Sequence, residues 1–281
     1  MRIPSVLAKS LRDQRWQVIG FGLALGAMSS TSVFLWPSVR DTLQNFDLPA
    51  AVKAFLGSDL NISTASGYLS ARYFGWVDIL LIVYVVLQGT GAIAGEETSG
   101  TMDLLLAQPI SRRAVIVQKA AATVTGSAVI VGMGWLGFAL SVPFVRIDIS
   151  LADAAIASAN MLPITLLFFA LSLSAGVVAP SRALASGIVI GLATAWYFVS
   201  TLANGVSSLE NLKYATPFYY YGAGLPLVRG IAWTHVGLLM AAAVGLILLS
   251  VLAFERRDVS AGGASDVDLF GGLRRIRGHR P

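Results

Sequence analysis

The stretch Ile231–Phe254 reads IAWTHVGLLMAAAVGLILLSVLAF and contains no Asp, Glu, Lys or Arg. Five further apolar runs precede it: Trp16–Trp36, Tyr73–Gly95, Ala120–Val142, Ala155–Ala179 and Ala183–Val206. A helix of roughly 20 to 25 residues, rising about 1.5 Å per residue, matches a hydrocarbon core of about 30 Å. Because lipid offers no water to satisfy backbone polar groups, such spans must be helices. The sequence therefore predicts an all-α, polytopic membrane protein with six transmembrane helices.

The composition agrees with this class. Hydrophobic residues make up 56% of the 281 residues and charged residues 12%, with a mean hydropathy of +0.72. This balance excludes a disordered chain and fits poorly with a soluble domain. We predict a single transmembrane domain over residues 1–255 and a basic, Gly-rich cytoplasmic tail over residues 256–281. The chain has no cysteine, which excludes disulfides and thiolate metal sites.

The basic residues flank the spans unevenly. Of the 20 Lys and Arg residues, 14 fall on the side that holds both termini. The other six are Arg40, Lys53, Arg72, Arg146, Lys213 and Arg229. This positive-inside asymmetry predicts that the N- and C-termini are cytoplasmic, in the cell (cytoplasmic or inner) membrane. The net charge of +5 therefore comes from basic residues that flank the membrane spans, and no nucleic-acid partner is expected.

The segment ahead of the first span is basic and amphipathic. Apolar and basic residues alternate at helical spacing over Ile3–Arg15. The pattern is typical of a short N-terminal helix lying along the cytoplasmic lipid surface. A frayed tail whose charges only set the orientation is the alternative.

Small residues and one acid stand out inside the spans. Three glycine pairs have the spacing of GxxxG helix packing: Gly22 with Gly26, Gly91 with Gly95, and Gly187 with Gly191. Packing inside one chain and dimerisation explain such pairs equally well. Asp78 is the single carboxylate within a predicted span, which makes it a candidate pathway residue. Its distance of about 7 Å from the predicted start of that span suggests contact with interfacial water.

The connection between the second and third spans reads EETSGTMDLLLAQPISRR from Glu96 to Arg113. Gly95 and Gly100 loosen the end of one helix, Thr101–Gln108 favours a short helix, and Pro109 ends it. Ser111 then suits the N-cap of the next span. An exposed triple leucine with charged residues around it has the character of a docking surface. A well-capped connector in another kind of six-span protein is the alternative.

This segment resembles the permease subunits of type-2 ATP-binding cassette (ABC) exporters, whose second and third spans are joined by EExxGT[LM][ED]LLLxxP[IV]SR. Two further features are similar to the branch with the nitrous oxide reductase maturation and gliding-motility permeases. They are the cluster Pro217–Tyr219 before the last span and the sequence Phe254–Asp258 that closes it.

The resemblance implies a cytoplasmic coupling helix that sits in a separate ATPase subunit. The ATPase-coupling residues it implies are Glu96, Glu97, Gly100, Thr101, Met102, Asp103, Leu104, Leu105, Leu106, Pro109 and Arg112. It also implies two ATPase copies that bind ATP and magnesium, and a second permease copy in a homodimer or a heterodimer. The second and fifth spans would line the pathway, and Ser207–Gly230 would form the outer gate region.

The expected function is therefore ATP-driven export by a transport subunit that is not itself an enzyme. The four lysines lie outside any GxxxxGK[ST] motif, so no nucleotide site or cofactor is expected in this chain. The sequence also lacks HExxH and cysteine, which argues against an intramembrane metalloenzyme or thiol enzyme. A secondary carrier or channel that does not use ATP is the competing hypothesis.

Overall fold

The computed structural model describes residues 6–45, 61–95, 111–222 and 226–256. Within these ranges the chain forms helices joined by turns and short extended segments, without a β-strand. Six helices in the described ranges are long and apolar enough to cross a membrane. The predicted all-α architecture with six spans is confirmed. The tail from residue 257 onward lies outside the described ranges.

The helices are numbered along the chain. They are α1 (Val6–Asn45), α2 (Ala65–Gly95), α3 (Arg112–Ser141), α4 (Leu151–Val178), α5 (Arg182–Gly205), α6 (Pro217–Tyr221), α7 (Pro226–Arg229) and α8 (Trp233–Arg256). A 3-10 segment, Ser207–Ala215, connects α5 to α6. The six spans are α1 to α5 and α8, and α6 and α7 belong to the connection between the last two.

The first helix differs from the prediction. One continuous helix runs from Val6 to Asn45 and includes Pro37, so the predicted amphipathic segment forms the first turns of α1 and is not a separate surface helix. Neither Gly nor Pro interrupts the sequence between Val6 and Trp16, and nothing there ends a helix. A hydrogen bond from Leu7 N–H to Gln118 Oε1, at 3.0 Å, holds these turns against α3.

The two ends of the bundle have different character. At one end, called here the basic end, the start of α1 meets α3, and Lys119, Arg182 and Arg113 contact neighbouring helices. At the opposite, aromatic end, Trp36 packs on Tyr68 with ring centroids 5.3 Å apart. The described start of α1 and the described end of α8 both lie at the basic end, as an even number of spans requires.

The core lies around α2 and α4. About two thirds of the most apolar part of each (67%) is buried inside the protein, against 17% for α5 and 22% for α8. Near the aromatic end, Tyr73 of α2 packs edge-on against Phe138 of α3 with centroids 4.9 Å apart. Phe168 of α4 contacts Phe218 of α6 at 5.8 Å. These rings tie the short helix α6 to the buried pair of spans.

Small residues bring α1 and α3 close together. A Cβ added to Gly137 would overlap Ser29 Oγ and the Gly26 carbonyl oxygen. Ser29 Oγ donates to the carbonyl oxygen of Gly134 at 2.8 Å, and Ser30 Oγ donates to that of Gly137 at 3.1 Å. In lipid, where apolar burial gives little driving force, close backbone packing and such hydrogen bonds hold helices together.

Replacing Gly137 with Ala is expected to lower the melting temperature of the purified protein in detergent, because the new methyl group meets a backbone carbonyl that cannot move away cheaply. Overpacking of this kind costs about 1–3 kcal/mol. Gly132→Ala on the same helix is the control, since its Cβ would meet no atom within 4 Å. That substitution should leave the melting temperature unchanged or raise it, because Ala favours helix. Equal effects of both variants would contradict close packing at Gly137.

Candidate functional site

The predicted coupling segment falls mostly outside the described residues. This applies to Glu96, Glu97, Gly100, Thr101, Met102, Asp103, Leu104, Leu105, Leu106 and Pro109. The structure describes the two points where the segment joins the bundle: Gly95, the last residue of α2, and Arg112, the first residue of α3. Ser111 caps α3, and its hydroxyl oxygen accepts a hydrogen bond from Ala114 N–H at 3.2 Å. Both joining points lie at the basic end.

The last turn of α2 is π-helical over Gly91–Gly95. A π turn shifts the backbone hydrogen-bond pattern, and such turns are frequent at functional positions. Lys119 of α3 donates from Nζ to the carbonyl oxygen of Ala92 at 2.8 Å. Arg182 of α5 donates from Nη2 to the carbonyl oxygen of Leu87 at 3.1 Å. Two cations from neighbouring spans therefore bind the carboxyl end of α2, where the helix dipole is negative.

Gly91 and Gly95 make room for one of these cations. A Cβ added to Gly91 would lie 3.3 Å from Arg182 Nη2, and one added to Gly95 would lie 3.6 Å from Arg182 Cδ. The GxxxG spacing predicted a helix-packing surface here. In the structure, the extended side chain of Arg182 covers this face of α2, because a bare backbone lets the guanidinium group reach the carbonyl of Leu87.

The other two predicted glycine pairs lie in different surroundings. Gly22 and Gly26 of α1 face Met133 of α3, and a Cβ on Gly26 would lie 3.1 Å from the Met133 carbonyl oxygen. Gly187 and Gly191 of α5 have no atom within 4 Å of an added Cβ. The first pair therefore lies at a contact within the chain, and the face of α5 that carries the second pair is open.

Two more contacts join the spans at the basic end. Arg113 at the start of α3 donates two hydrogen bonds to Glu255 at the end of α8, one of them from Nη2 to Oε2 at 2.8 Å. Nearer the middle, Gln14 of α1 is 4% exposed. Gln14 donates from Nε2 to the Ala122 carbonyl oxygen at 2.7 Å and accepts from the Tyr84 hydroxyl at 2.9 Å. These bonds connect α1, α2 and α3 on the side from which the coupling segment leaves.

Asp78 occupies a different place from the one its sequence position suggested. It is 3% exposed, and no described group hydrogen-bonds to its Oδ1 atom. Access to interfacial water was expected because α2 was predicted to begin at Tyr73. The helix begins at Ala65 instead, and neighbouring residues cover the Asp78 side chain. The prediction that Asp78 reaches interfacial water is wrong.

Tyr221 of α6 lies near Asp78. Tyr221 and Tyr197 of α5 both lie within electrostatic reach of the Asp78 carboxyl group. Burial raises the pKa of Tyr221, so this hydroxyl stays protonated and acts as a donor. It donates to the carbonyl oxygen of Phe74 at 3.2 Å, and the Tyr221 carbonyl oxygen accepts from Asn160 Nδ2 at 2.9 Å. Tyr221 is thus fixed to both α2 and α4.

Arg182 and Tyr221 were missed as functional candidates by sequence reasoning. One signal for Arg182 was present: it is the first residue of a span, at the amino end of α5, where the helix dipole disfavours a cation. A cation in that position is explained by a partner on another helix. Tyr221 lies in the segment Ser207–Gly230 that the resemblance implied as the outer gate region. No sequence signal singled out this residue, because its role depends on a contact with Phe74, which is 147 residues away in the chain.

Comparison with known proteins agrees with this arrangement. The family model described as "ABC-2 family transporter protein" matches residues 8–259, which include nearly all of α1, all later spans and the segment from Glu96 to Arg113. No curated protein sequence matches the chain. The family match and the six apolar helices make this a multi-pass membrane protein and the permease subunit of an ABC transporter. The chain belongs to the ABC-2 family of transporter proteins, whose membrane subunits work with an ABC ATPase and with other permease subunits.

Proposed function

We propose that this permease exports a substrate across the cytoplasmic membrane, driven by ATP hydrolysis in a separate ATPase subunit. The family match over residues 8–259 carries the proposal. ATP and magnesium bind to the partner, since the chain has no lysine in a phosphate-binding motif. The complete transporter has two ATPase copies and two permeases, as a homodimer or as a heterodimer with a similar chain.

The coupling segment receives the force from the ATPase. In this proposal Leu104, Leu105 and Leu106 sit in a groove of the ATPase, and Glu96 and Glu97 lie at the hinge with α2. The joins at Gly95 and Ser111 support it, because a push on the segment reaches α2 and α3 directly. ATP binding then shifts the spans between inward and outward access through differential contact with the two ATPase states.

Lys119 and Arg182 pass this movement to the rest of the bundle. Both bind carbonyl oxygens near the end of α2, at Ala92 and Leu87. A displacement of this end therefore pulls on α3 through Lys119 and on α5 through Arg182. These two residues position α2 relative to its neighbours and need not touch the substrate.

The orientation places both termini and the basic end in the cytoplasm. The side chains there agree with the positive-inside rule. The similarity to the nitrous oxide reductase maturation and gliding-motility permeases is a finer proposal. It depends on the Pro217–Tyr219 cluster and the sequence Phe254–Asp258. In the structure, Phe218 of this cluster packs on Phe168 of α4 and Tyr197 of α5.

A secondary carrier or channel remains the second candidate, because a buried carboxylate such as Asp78 is also typical of gradient-driven transport. Transport into vesicles separates the two candidates when an ionophore is added and ATP is retained. Continued transport supports the ATP-driven exporter, and loss of transport supports the carrier.

The orientation is tested with single cysteines, since the chain has none of its own. Ala183→Cys places a thiol at the basic end, and Leu212→Cys places one at the aromatic end, where Leu212 is 48% exposed. A membrane-impermeant maleimide added to intact cells should label Leu212→Cys only. Ala183→Cys should react after the cells are permeabilised. The reverse pattern would place the coupling segment outside the cell and contradict the proposed function.

The coupling segment is tested by replacing both Leu104 and Leu105 with Asp. The two charges should abolish co-purification of the ATPase, because they cannot enter an apolar groove without loss of solvation. The permease itself should remain in the membrane at wild-type amounts. Leu212→Asp, at the opposite end, is the control and should retain the ATPase. Unchanged association of the double variant would contradict a seated helix.

The transmission role is tested with Arg182→Gln, which removes the charge but keeps much of the side-chain volume. The ATPase should stay bound, and the effect of the permease on its ATP hydrolysis should fall on the order of tenfold, within the usual range of coupling between sites. Arg40→Gln is the control, because Arg40 is at the aromatic end and pairs with Asp41 at 3.2 Å. Unaltered hydrolysis, or loss of ATPase binding, would contradict a role in transmission.

A further inference from the structure

Asp78 is a buried acid that the proposed ATP-driven cycle does not use. It lies on α2 with 3% of its surface exposed. Its Oδ1 atom has no hydrogen-bond partner among the described residues. Its neighbours one turn away on the same helix face, Phe74, Leu81 and Ile82, are also buried. The carboxyl group is therefore buried among apolar side chains, and no described side chain supplies a counter-charge.

The groups that face Asp78 are neutral. The interactions that act on its carboxyl group, apart from burial, come from the backbone amides of Asp78 and Ile79. The titratable side chains near Asp78 are Tyr197 of α5 and Tyr221 of α6. Tyr73 lies near Tyr221. Within the described part of the chain, no lysine, arginine or histidine pairs with Asp78. The nearby hydroxyl of Tyr221 is already used, since it donates to the Phe74 carbonyl oxygen.

An ionised carboxylate in such a place is costly. Burial of an unpaired charge is strongly unfavourable, and a buried acid normally takes up a proton instead. The neutral carboxylic acid needs far less solvation, and its O–H can donate while its carbonyl oxygen stays free. The geometry therefore favours a bound proton on Asp78 for as long as the site is covered.

Tyr221 of α6 lies near Asp78 and is itself buried. It is 2% exposed and is held from two sides, by Phe74 of α2 through its hydroxyl and by Asn160 of α4 through its backbone carbonyl. The left-handed Gly222 (φ 69°) directly follows it and ends α6. Each anchoring contact is a single hydrogen bond. Displacement of α6 from both α2 and α4 would be needed to break the two bonds.

We propose that Asp78 is a proton-binding site closed by Tyr221, which holds its proton while α6 covers α2 and releases it to water when α6 moves away. The covered state then binds one proton more than the uncovered state. Lower pH therefore favours the covered state, and higher pH favours the uncovered state. This inference goes beyond ATP coupling and is tested without the ATPase.

The first test uses two carbodiimides on the purified permease in lipid nanodiscs. A protonated carboxyl adds across the C=N bond of a carbodiimide: its oxygen bonds to the central carbon, and its proton moves to nitrogen. Rearrangement gives a stable N-acylurea that keeps every atom of both reactants. Apolar dicyclohexylcarbodiimide should label Asp78, as located by peptide mass spectrometry, and the labelling should fall as pH rises. A water-soluble carbodiimide should label Asp153 of α4, which is exposed, and leave Asp78 unmodified.

Infrared spectroscopy gives an independent result on the same samples. Wild-type protein should show the carbonyl band of a protonated carboxyl group, and Asp78→Asn should lack it. Labelling of Asp78 by the water-soluble reagent alone would overturn the proposal. If neither reagent labels Asp78, the infrared band decides: a band that Asp78→Asn removes supports the bound proton, and no difference between the two proteins overturns it.

The link to Tyr221 is tested by hydrogen exchange of the peptide that covers residues 214–222. After correction for the intrinsic rate, exchange in wild type should rise with pH, by at most about tenfold per pH unit for one released proton. Asp78→Asn, which is neutral at every pH, should remove this dependence. Tyr221→Ala should expose Asp78 and make it reactive to the water-soluble carbodiimide. A pH dependence that survives in Asp78→Asn would assign the effect to another group and overturn the closure by Tyr221.

Discussion

The absence of water inside the bilayer is the constraint on which this structure depends. Every carbonyl oxygen that a helix does not satisfy needs another partner in the chain. The end of α2 shows how this requirement creates a connection between spans. Its π turn sits just before the coupling segment, and Lys119 and Arg182 supply donors from two other helices. The same bonds that satisfy the backbone also join the end of α2 to α3 and α5.

The contacts between α1 and α3 answer the same constraint in another way. Lipid is as apolar as a leucine side chain, so packing must come from close approach and from hydrogen bonds. Ser29 and Ser30 donate across the interface to backbone carbonyls of α3, and Gly137 allows that approach. The pair α1 and α3 thereby forms a fixed unit beside the buried α2 and α4. Of the two residues that flank the predicted coupling segment, Gly95 ends α2 in one unit and Ser111 caps α3 in the other.

The sequence predicted the spans well because hydropathy depends on local composition. It predicted contacts between spans less well. A glycine pair indicates a helix face without side chains, but the sequence does not show which residue packs against that face. Gly22 and Gly26 face a methionine of another span, whereas Gly91 and Gly95 face the side chain of Arg182. The burial of Asp78 was missed for a related reason. Its place in the apolar run does not show that Tyr221, which is distant in the chain, lies near it.

Asp78 differs from other buried polar residues of this protein in its hydrogen bonding, and a purely structural role does not explain the difference. Gln14 is as buried as Asp78, yet it donates to Ala122 and accepts from Tyr84. Buried Ser172 donates to its own helix at Phe168 O. Asp78 Oδ1 alone appears as a buried side-chain N or O atom without a partner among the residues that the structure describes. A residue kept for packing would be served better by an apolar side chain of similar size, which avoids the cost of a polar group. The proposed uncovered state, in which α6 has moved, gives the acid a role, because water would then supply the hydrogen bond that Oδ1 lacks among the described residues.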